Sequence, residues 1–257
     1  MIYQTFAELY DELFDPAMYQ QWLDFVRREY PNQDGQLLEL ACGTGRLGVL
    51  LAQAGYQVTG LDLSENMLAL AQRHADEAAV TLPLLQGDML DLSEIGTFDA
   101  VTCFADSFCY LPDITTVQRA FEQVAQHLTA AGEFLFDVIT PYQTDEVYPG
   151  YMYNYRDEDR AFMWTSYAGE QPHSAEHDLT FFIYNDDKQA FDEVSELHQE
   201  QTYVLADINK LCRQPVLIMS RSAPILAANN RMIRPRGGSS SVVSSRRNKN
   251  ASSRVNN

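Results

Sequence analysis

The stretch "LLELACGTGRLG", residues 37–48, decides the fold. Leu37, Leu38 and Leu40 give "QLLELAC" (36–42) the short apolar run of a buried strand, which passes directly into Gly43-x-Gly45-x-x-Gly48. Glycines at that spacing, between a strand and a helix, let backbone N–H groups and a helix N-terminus come close to a ligand. "RLGVLLAQAG" (46–55) continues as that helix, closed by Gly55. The ligand then belongs beyond the C-terminal end of the strand. The glycine pattern satisfies the dinucleotide fingerprint, yet Glu39 stands four residues before the first glycine.

Working outward, "YQVTGLDLS" (56–64) reads as a second strand, and Ser64 is placed to N-cap "ENMLALAQRHADE". "VTLPLLQGDML" (80–90), "FDAVTCFAD" (98–106) and "GEFLFDVI" (132–139) are further strands, with the helix "ITTVQRAFEQVAQHL" (114–128) between the last two. Upstream, "FAELYDELF" and "AMYQQWLDFVRREY" carry apolar residues at three- and four-residue steps and predict two N-terminal helices. Strands alternating with helices predict an α/β fold, a doubly wound, mostly parallel sheet with helices on both faces. From Pro141 the pattern changes to aromatic runs such as "YMYNYRD" and "HDLTFFIYN", divided by turn-prone "NDDK". Residues 141–202 therefore predict an inserted antiparallel β lid over the mouth of the sheet, and "VLADINKLC" (204–212) one more helix.

The 257 residues suffice for one such domain. No apolar run approaches the roughly 18 residues of a membrane span, and "MIYQTFAELYDELF" has acids where a signal peptide has a basic flank. A cytoplasmic protein with no membrane partner is expected; the sequence specifies no oligomeric state. Cys42, Cys103, Cys109 and Cys212 form no C-x-x-C pair, so neither a metal site nor a disulfide framework is expected. Residues 1–212 hold all 36 acids and nine of the 18 Lys/Arg, a net −27; residues 213–257 hold the other nine basic residues and no acid, a net +9. Such a body repels phosphates, which favours a small-molecule substrate over nucleic acid.

The carboxylates choose between ligands. A pyrophosphate gains nothing from a carboxylate under its loop, whereas S-adenosylmethionine carries a sulfonium and an ammonium, and Glu39 adds negative potential beneath them. Asp62, 19 residues after Gly43, accepts ribose hydroxyls in either cofactor. Asp88 in "QGDML" is placed to accept from an adenine amine while the Met89 N–H meets the ring. An NAD-dependent oxidoreductase would also need a catalytic signature such as Tyr-x-x-x-Lys, which does not follow; a binding module without turnover is the non-enzyme alternative.

With these motifs in order, the sequence over residues 1 to about 212 resembles the class I S-adenosylmethionine-dependent methyltransferases. "LLELACGTGRLG" is similar to their glycine-rich motif, "GLDLSENMLALA" to their ribose-binding strand and helix, "LLQGDMLDL" to their adenine motif and "FDAVTCFADSFCYL" to their fourth-strand motif. The resemblance implies Glu39, Gly43 and Gly45 around the methionine moiety, Asp62 on the ribose and Leu63 and Met67 against adenine. It further implies Asp88 and Met89 on the adenine edge, and Phe104 with Ala105 beside the methionine portion. "YQTFAELYDELF" followed by "YQQW" resembles the small bacterial YqeM-like subgroup, whose N-terminal helices close over the cofactor; this points to Tyr10 and Trp22, which also read as helix core.

Methyl transfer is an in-line displacement, in which alignment supplies much of the acceleration. If a base is needed, Asp106, just past the fourth strand, is the candidate, with loop capping as its other reading. Similar sequences have D-S-x-N-Y here; Asp106, Ser107 and Tyr110 match, and Cys109 stands where Asn is usual. Tyr110 and the lid histidines His177 and His198 are the candidate substrate contacts. After Cys212, in place of the Gly-Phe turn and two closing strands usual in relatives, the chain turns basic and Ser/Asn-rich. This ending (213–257) reads as a low-complexity, disordered arm or, preferably, as the product of a frameshift near Cys212.

Overall fold

The structure, a computed structural model, describes residue 11, residues 16–211 and the backbone of 216–221 and 242–244. Helix α1 (Pro16–Glu29) is the second of the two expected N-terminal helices; the first, apart from Asp11, lies outside the described residues. Then come β1 (Gln36–Leu40), α2 (Arg46–Gln53), β2 (Gln57–Asp62), α3 (Glu65–Glu77), β3 (Leu84–Gln86) and β4 (Phe98–Cys103). A 3-10 turn (Ser107–Tyr110), α4 (Ile114–His127) and β5 (Leu128–Ile139) complete the core. Ser64 caps α3 as its sequence position requires, its Oγ accepting from the Met67 N–H at 3.3 Å. The third strand, expected over 80–90, is only three residues long. Pro83 before it lacks an N–H, and after it Asp88 turns the chain by accepting from the Leu90 N–H.

With β10 (Val216–Arg221) and β11 (Val242–Ser244) from the chain's ending, the sheet runs β11-β10-β5-β4-β1-β2-β3, with β3 to β10 mutually parallel. Alternation along β1 assigns its side chains to the two faces: Leu37 packs with Trp22, Phe25 and Val26 of α1, Leu38 and Leu40 with Val117 and Phe121 of α4. Glu39 shares the α1 side. Strand order reverses between β1 and β4, so the crevice opens at their C-terminal ends.

The antiparallel insertion forms as expected: β6 (Met152–Arg156), β7 (Arg160–Ala168), β8 (Ser174–Asn185) and β9 (Ala190–Gln201) pair in sequence order. Phe162, Trp164, Leu179 and Phe181 give this sheet an aromatic core of its own. Thr144, just after β5, and Thr202, just after β9, meet through their hydroxyls at 2.9 Å and tie the lid to the core. Helix α5 (Leu205–Leu211) follows. Of the basic ending, the backbone of β10 (Val216–Arg221) runs parallel to β5, and β11 (Val242–Ser244) pairs antiparallel with β10. The remainder of 213–257 lies outside the described residues.

Candidate cofactor and acceptor site

A cavity of about 370 Å3 lies where the topology places a ligand, at the ends of β1, β2 and β4 under the lid. Its floor is the glycine loop. Gly43 has φ +54, and a Cβ there would meet nothing within 4 Å, so the space over it is open to a ligand. Gly45 serves the fold instead: it has φ +71, and a Cβ would lie 2.6 Å from that of Ala71, so its absence lets α2 start hard against α3. Gly45 is therefore not on the cavity wall, unlike the expectation that it surrounds the methionine moiety.

Asp62 lines the cavity and fastens the loop, Oδ2 accepting from the Gly43 N–H at 2.8 Å and Oδ1 from the Ser64 N–H at 2.9 Å. A carboxylate offers about four acceptor positions, so capacity remains for two ribose hydroxyls. Burial raises its pKa. Glu39 is buried on the same wall, and its Oε2 has no hydrogen-bond partner among the described residues. Burial first and the Asp62 charge second push its carboxyl up to about 8, opposed by the Gly48 backbone N–H. A buried acid with an unused oxygen beneath an open glycine fits a cofactor end carrying an ammonium and a sulfonium. It suits a pyrophosphate poorly.

Leu63, Met67 and Met89 supply the apolar wall expected for adenine. Asp88 departs from expectation: it is exposed, off the cavity, and spends its Oδ1 on the Leu90 N–H. Trp22 is on the wall, stacked on Phe104 at 5.7 Å and donating its indole N–H to Asp137 Oδ2 at 2.9 Å. Phe104 and Ala105 line the cavity as expected. Tyr10 lies outside the described residues.

Sequence reasoning missed Tyr19, edge-on to Trp22 at 5.4 Å and also on the wall; its i−3 spacing from Trp22 was the available signal. It also missed a strap across the back of the loop. Asp11 accepts from the Thr44 hydroxyl at 2.6 Å, pairs with Arg46 and lies 3.2 Å from His74 Nε2, joining the N-terminal segment to α2 and α3.

The acceptor side corrects two expectations. Ala105 and Asp106 take φ +60 and +57, a left-handed pair that neither residue favours. The turn carries the Asp106 side chain inward, where it is 2% exposed and off the cavity, while its N–H donates to Asp137 Oδ1 at 3.0 Å. Asp106 is not placed as a base toward the cofactor cavity. His177 likewise is buried inside the lid, held by Trp164 and Ser166, and does not reach the cavity. Tyr110 and His198 do: both line the mouth, their rings 5.9 Å apart, with His198 Nε2 at 2.9 Å from Glu196.

Comparison with known proteins agrees with this geometry. Residues 37–132 match the methyltransferase domain family. A protein of Geobacillus sp. (strain WCH70) named as a methyltransferase is 40% identical over 207 residues, covering 79% of this chain and 83% of the relative. YqeM of Bacillus subtilis (strain 168), named likewise, is 38% identical over 214 residues, or 83% and 85% of the two chains. The dTDP-3-amino-3,6-dideoxy-alpha-D-glucopyranose N,N-dimethyltransferase of Streptomyces fradiae is 38% identical over 128 residues, 49% of this chain and 47% of its own. Among solved structures, an S-adenosylmethionine-dependent methyltransferase from Clostridium acetobutylicum ATCC 824 superposes with a TM-score of 0.69 at 28% identity, covering 82% of this chain and 86% of that one.

Proposed function

Because the chain belongs to the S-adenosylmethionine-dependent methyltransferases, we propose that it methylates a small organic acceptor which reaches the cofactor past Tyr110 and His198. When bound, S-adenosylmethionine supplies an electrophilic methyl group on a sulfonium. The residues of this chain bind and align. Asp62 takes the ribose hydroxyls and Glu39 the positive potential of the methionine end, while Leu63, Met67 and Met89 cover adenine. Trp22, Tyr19 and Phe104 shield the reacting end from water. Alignment of this kind is worth up to about 7–11 kcal/mol of barrier, so the arrangement needs no strong base.

One observation carries the reading: a single cavity joins the Glu39–Gly43–Asp62 floor to the Tyr110–His198 mouth. The net −27 of residues 1–212 supports a small acceptor over nucleic acid, and the Streptomyces fradiae relative is named for an amino sugar. Calorimetric titration with S-adenosylmethionine, S-adenosylhomocysteine and NAD tests the first half, the expected result being binding of the first two alone. Methyl transfer from labelled cofactor to a panel of amino sugars, phenols and amines, with RNA alongside, tests the second. Label in RNA and in no small molecule would refute it.

A further inference from the structure

A second cavity, of about 420 Å3, lies between the loop after β4 and the lid, and Tyr110 stands on the wall of both. Its wall carries Glu170, Glu176 and Glu200 and no Lys or Arg. Glu200 is 8% exposed, and its Oε2 is buried with no hydrogen-bond partner among the described residues. The adjacent ionisable ring is that of His177, whose Nε2 lies 3.6 Å from Glu200 Oε1, beyond hydrogen-bond reach. That ring does not supply the missing cation. Its Nδ1 faces the Trp164 indole N–H at 3.2 Å and the Ser166 hydroxyl at 2.7 Å. An indole N–H only donates, so Nδ1 accepts and the network assigns the ring proton to Nε2. An imidazolium would set an Nδ1–H against the indole N–H. The buried Tyr148 phenol and Cys109 thiol nearby add no positive charge either; burial first, with Glu200 among the further causes, raises the pKa of both.

A carboxylate withdrawn from water with no cation beside it, one oxygen unpartnered and the other 3.6 Å from the N–H of a neutral ring, costs stability, and a cavity wall that holds further acids and no Lys or Arg supplies no counter-charge. We propose that this second cavity is the subsite for a protonated amine carried by the methyl acceptor, with Glu200 as its counter-ion and His177 as the positioning residue behind it. The inference rests on the methyl-transfer reading above. The ammonium is an anchor and not the methylated atom, since a protonated nitrogen has no lone pair to attack with. The reacting atom lies on the other side of Tyr110, in the cofactor cavity. The acceptor is then a molecule with two polar ends, one of them a basic amine.

The test compares the wild-type chain with Glu200→Gln, each saturated with S-adenosylhomocysteine, whose affinity serves as the folding control. The probes are D-glucosamine and cyclohexylammonium, with D-glucose and cyclohexanol as neutral counterparts. The Trp164 indole N–H signal, one of two in the chain, reports on the Glu200–His177 pair. In the wild type both cations shift this signal saturably and the neutral probes leave it unmoved. Glu200→Gln weakens the cations by about tenfold or more, the loss expected for a charge-assisted hydrogen bond. Without probe, Glu200→Gln melts higher than wild type, because an amide is cheaper to bury than a carboxylate with no cation beside it. Equal responses to charged and neutral probes, no response to either cation, or a lower melting temperature for Glu200→Gln overturns the proposal while cofactor binding stands. Failure of the wild type to bind S-adenosylhomocysteine overturns the methyl-transfer reading and this inference together.

Discussion

Glu39 gives the protein a definite pH dependence. Its carboxyl is raised to about 8, first by burial and then by Asp62, whereas a glutamate in an unfolded chain titrates near 4.3. Glu39 loses its proton in a buried place beside the negative charge of Asp62. Between the two pKa values the folded protein holds a proton that the unfolded chain has released, so stability falls as pH rises. The contribution is fully present below about pH 4 and is lost as pH passes through the folded value near 8. One pKa unit corresponds to about 1.4 kcal/mol, so raising pH from about 6 to about 8 removes on the order of 2–3 kcal/mol through this one group. In a chain of this size 1 kcal/mol moves Tm by about 2–4 °C. Glu39→Gln keeps the shape and removes the titration. Wild type and variant, melted at several pH values across this window, are expected to diverge, the variant gaining on wild type by several degrees as pH rises. Cofactor adds a second readout, since a sulfonium and an ammonium beside Glu39 favour its ionised form. Binding therefore releases a proton, and affinity for S-adenosylmethionine climbs with pH in wild type and stays flatter in Glu39→Gln. Parallel melting curves across this range would refute the buried, unpaired placement of Glu39.

Asp62→Ala removes the acceptor of the Gly43 and Ser64 N–H groups and the proposed seat of the ribose. At about 1.5–3 kcal/mol for hydrogen bonds to a charged group, S-adenosylhomocysteine binding should weaken roughly ten- to a hundredfold by calorimetry; unchanged affinity would remove Asp62 from the site. Gly45→Ala forces a Cβ onto Ala71 at positive φ and should cost about 1–3 kcal/mol in urea unfolding, whereas Gly43→Ala, with open space above it, should lose less stability and more cofactor affinity. Unchanged cofactor affinity in Gly43→Ala would mean that the space over Gly43 is not a ligand's. The abrupt change to a basic, acid-free sequence after Cys212 leads us to propose a frameshift there. One of the other two reading frames downstream of Leu211 should encode a Gly-Phe turn and two apolar strands, and the absence of both features from both frames would disprove it.

The sheet was legible because its signals are local. Alternation in β1, the cap at Ser64 and the helical step of α1 each follow from residues within a few positions of one another. The third strand was overread, because apolar content continues through Pro83 and Met89 while pairing does not. Cavity-lining residues at strand ends, such as Glu39, Asp62 and Phe104, were legible for the same topological reason. The side chains misread were those in turns. A sequence shows that Asp88 and Asp106 follow strands; it does not show that Asp88 closes its own turn or that positive φ at Ala105 and Asp106 rotates the second carboxylate into the core. The Asp11, Arg46 and His74 strap was invisible for a different reason: Asp11 is more than 30 residues from either partner, and the stretches that carry them were read for other roles.

The same contrast of local and distant contacts divides the site by function. The glycine loop, Asp62, Met89 and Phe104 all fall within residues 37–132, the span of the family match. The residues proposed to face the acceptor are divided: Tyr110 lies within that span, whereas His198, which meets it from the lid, and Glu200 lie beyond it and are placed by the β8–β9 register Ala175↔Glu200 and His177↔His198. In an antiparallel ladder a slip of one residue sends every side chain of that strand to the opposite face. A slip in β9 would turn His198 and Glu200 to the opposite face of the lid, leaving the cofactor cavity's floor as it is. The lid can thus change what is methylated without changing what donates the methyl group. Relatives that share the glycine loop and differ in β8 and β9 should then share cofactor affinity and differ in acceptor, so acceptor assignments transfer between them only where the Glu200 and His198 positions and their strand register also match.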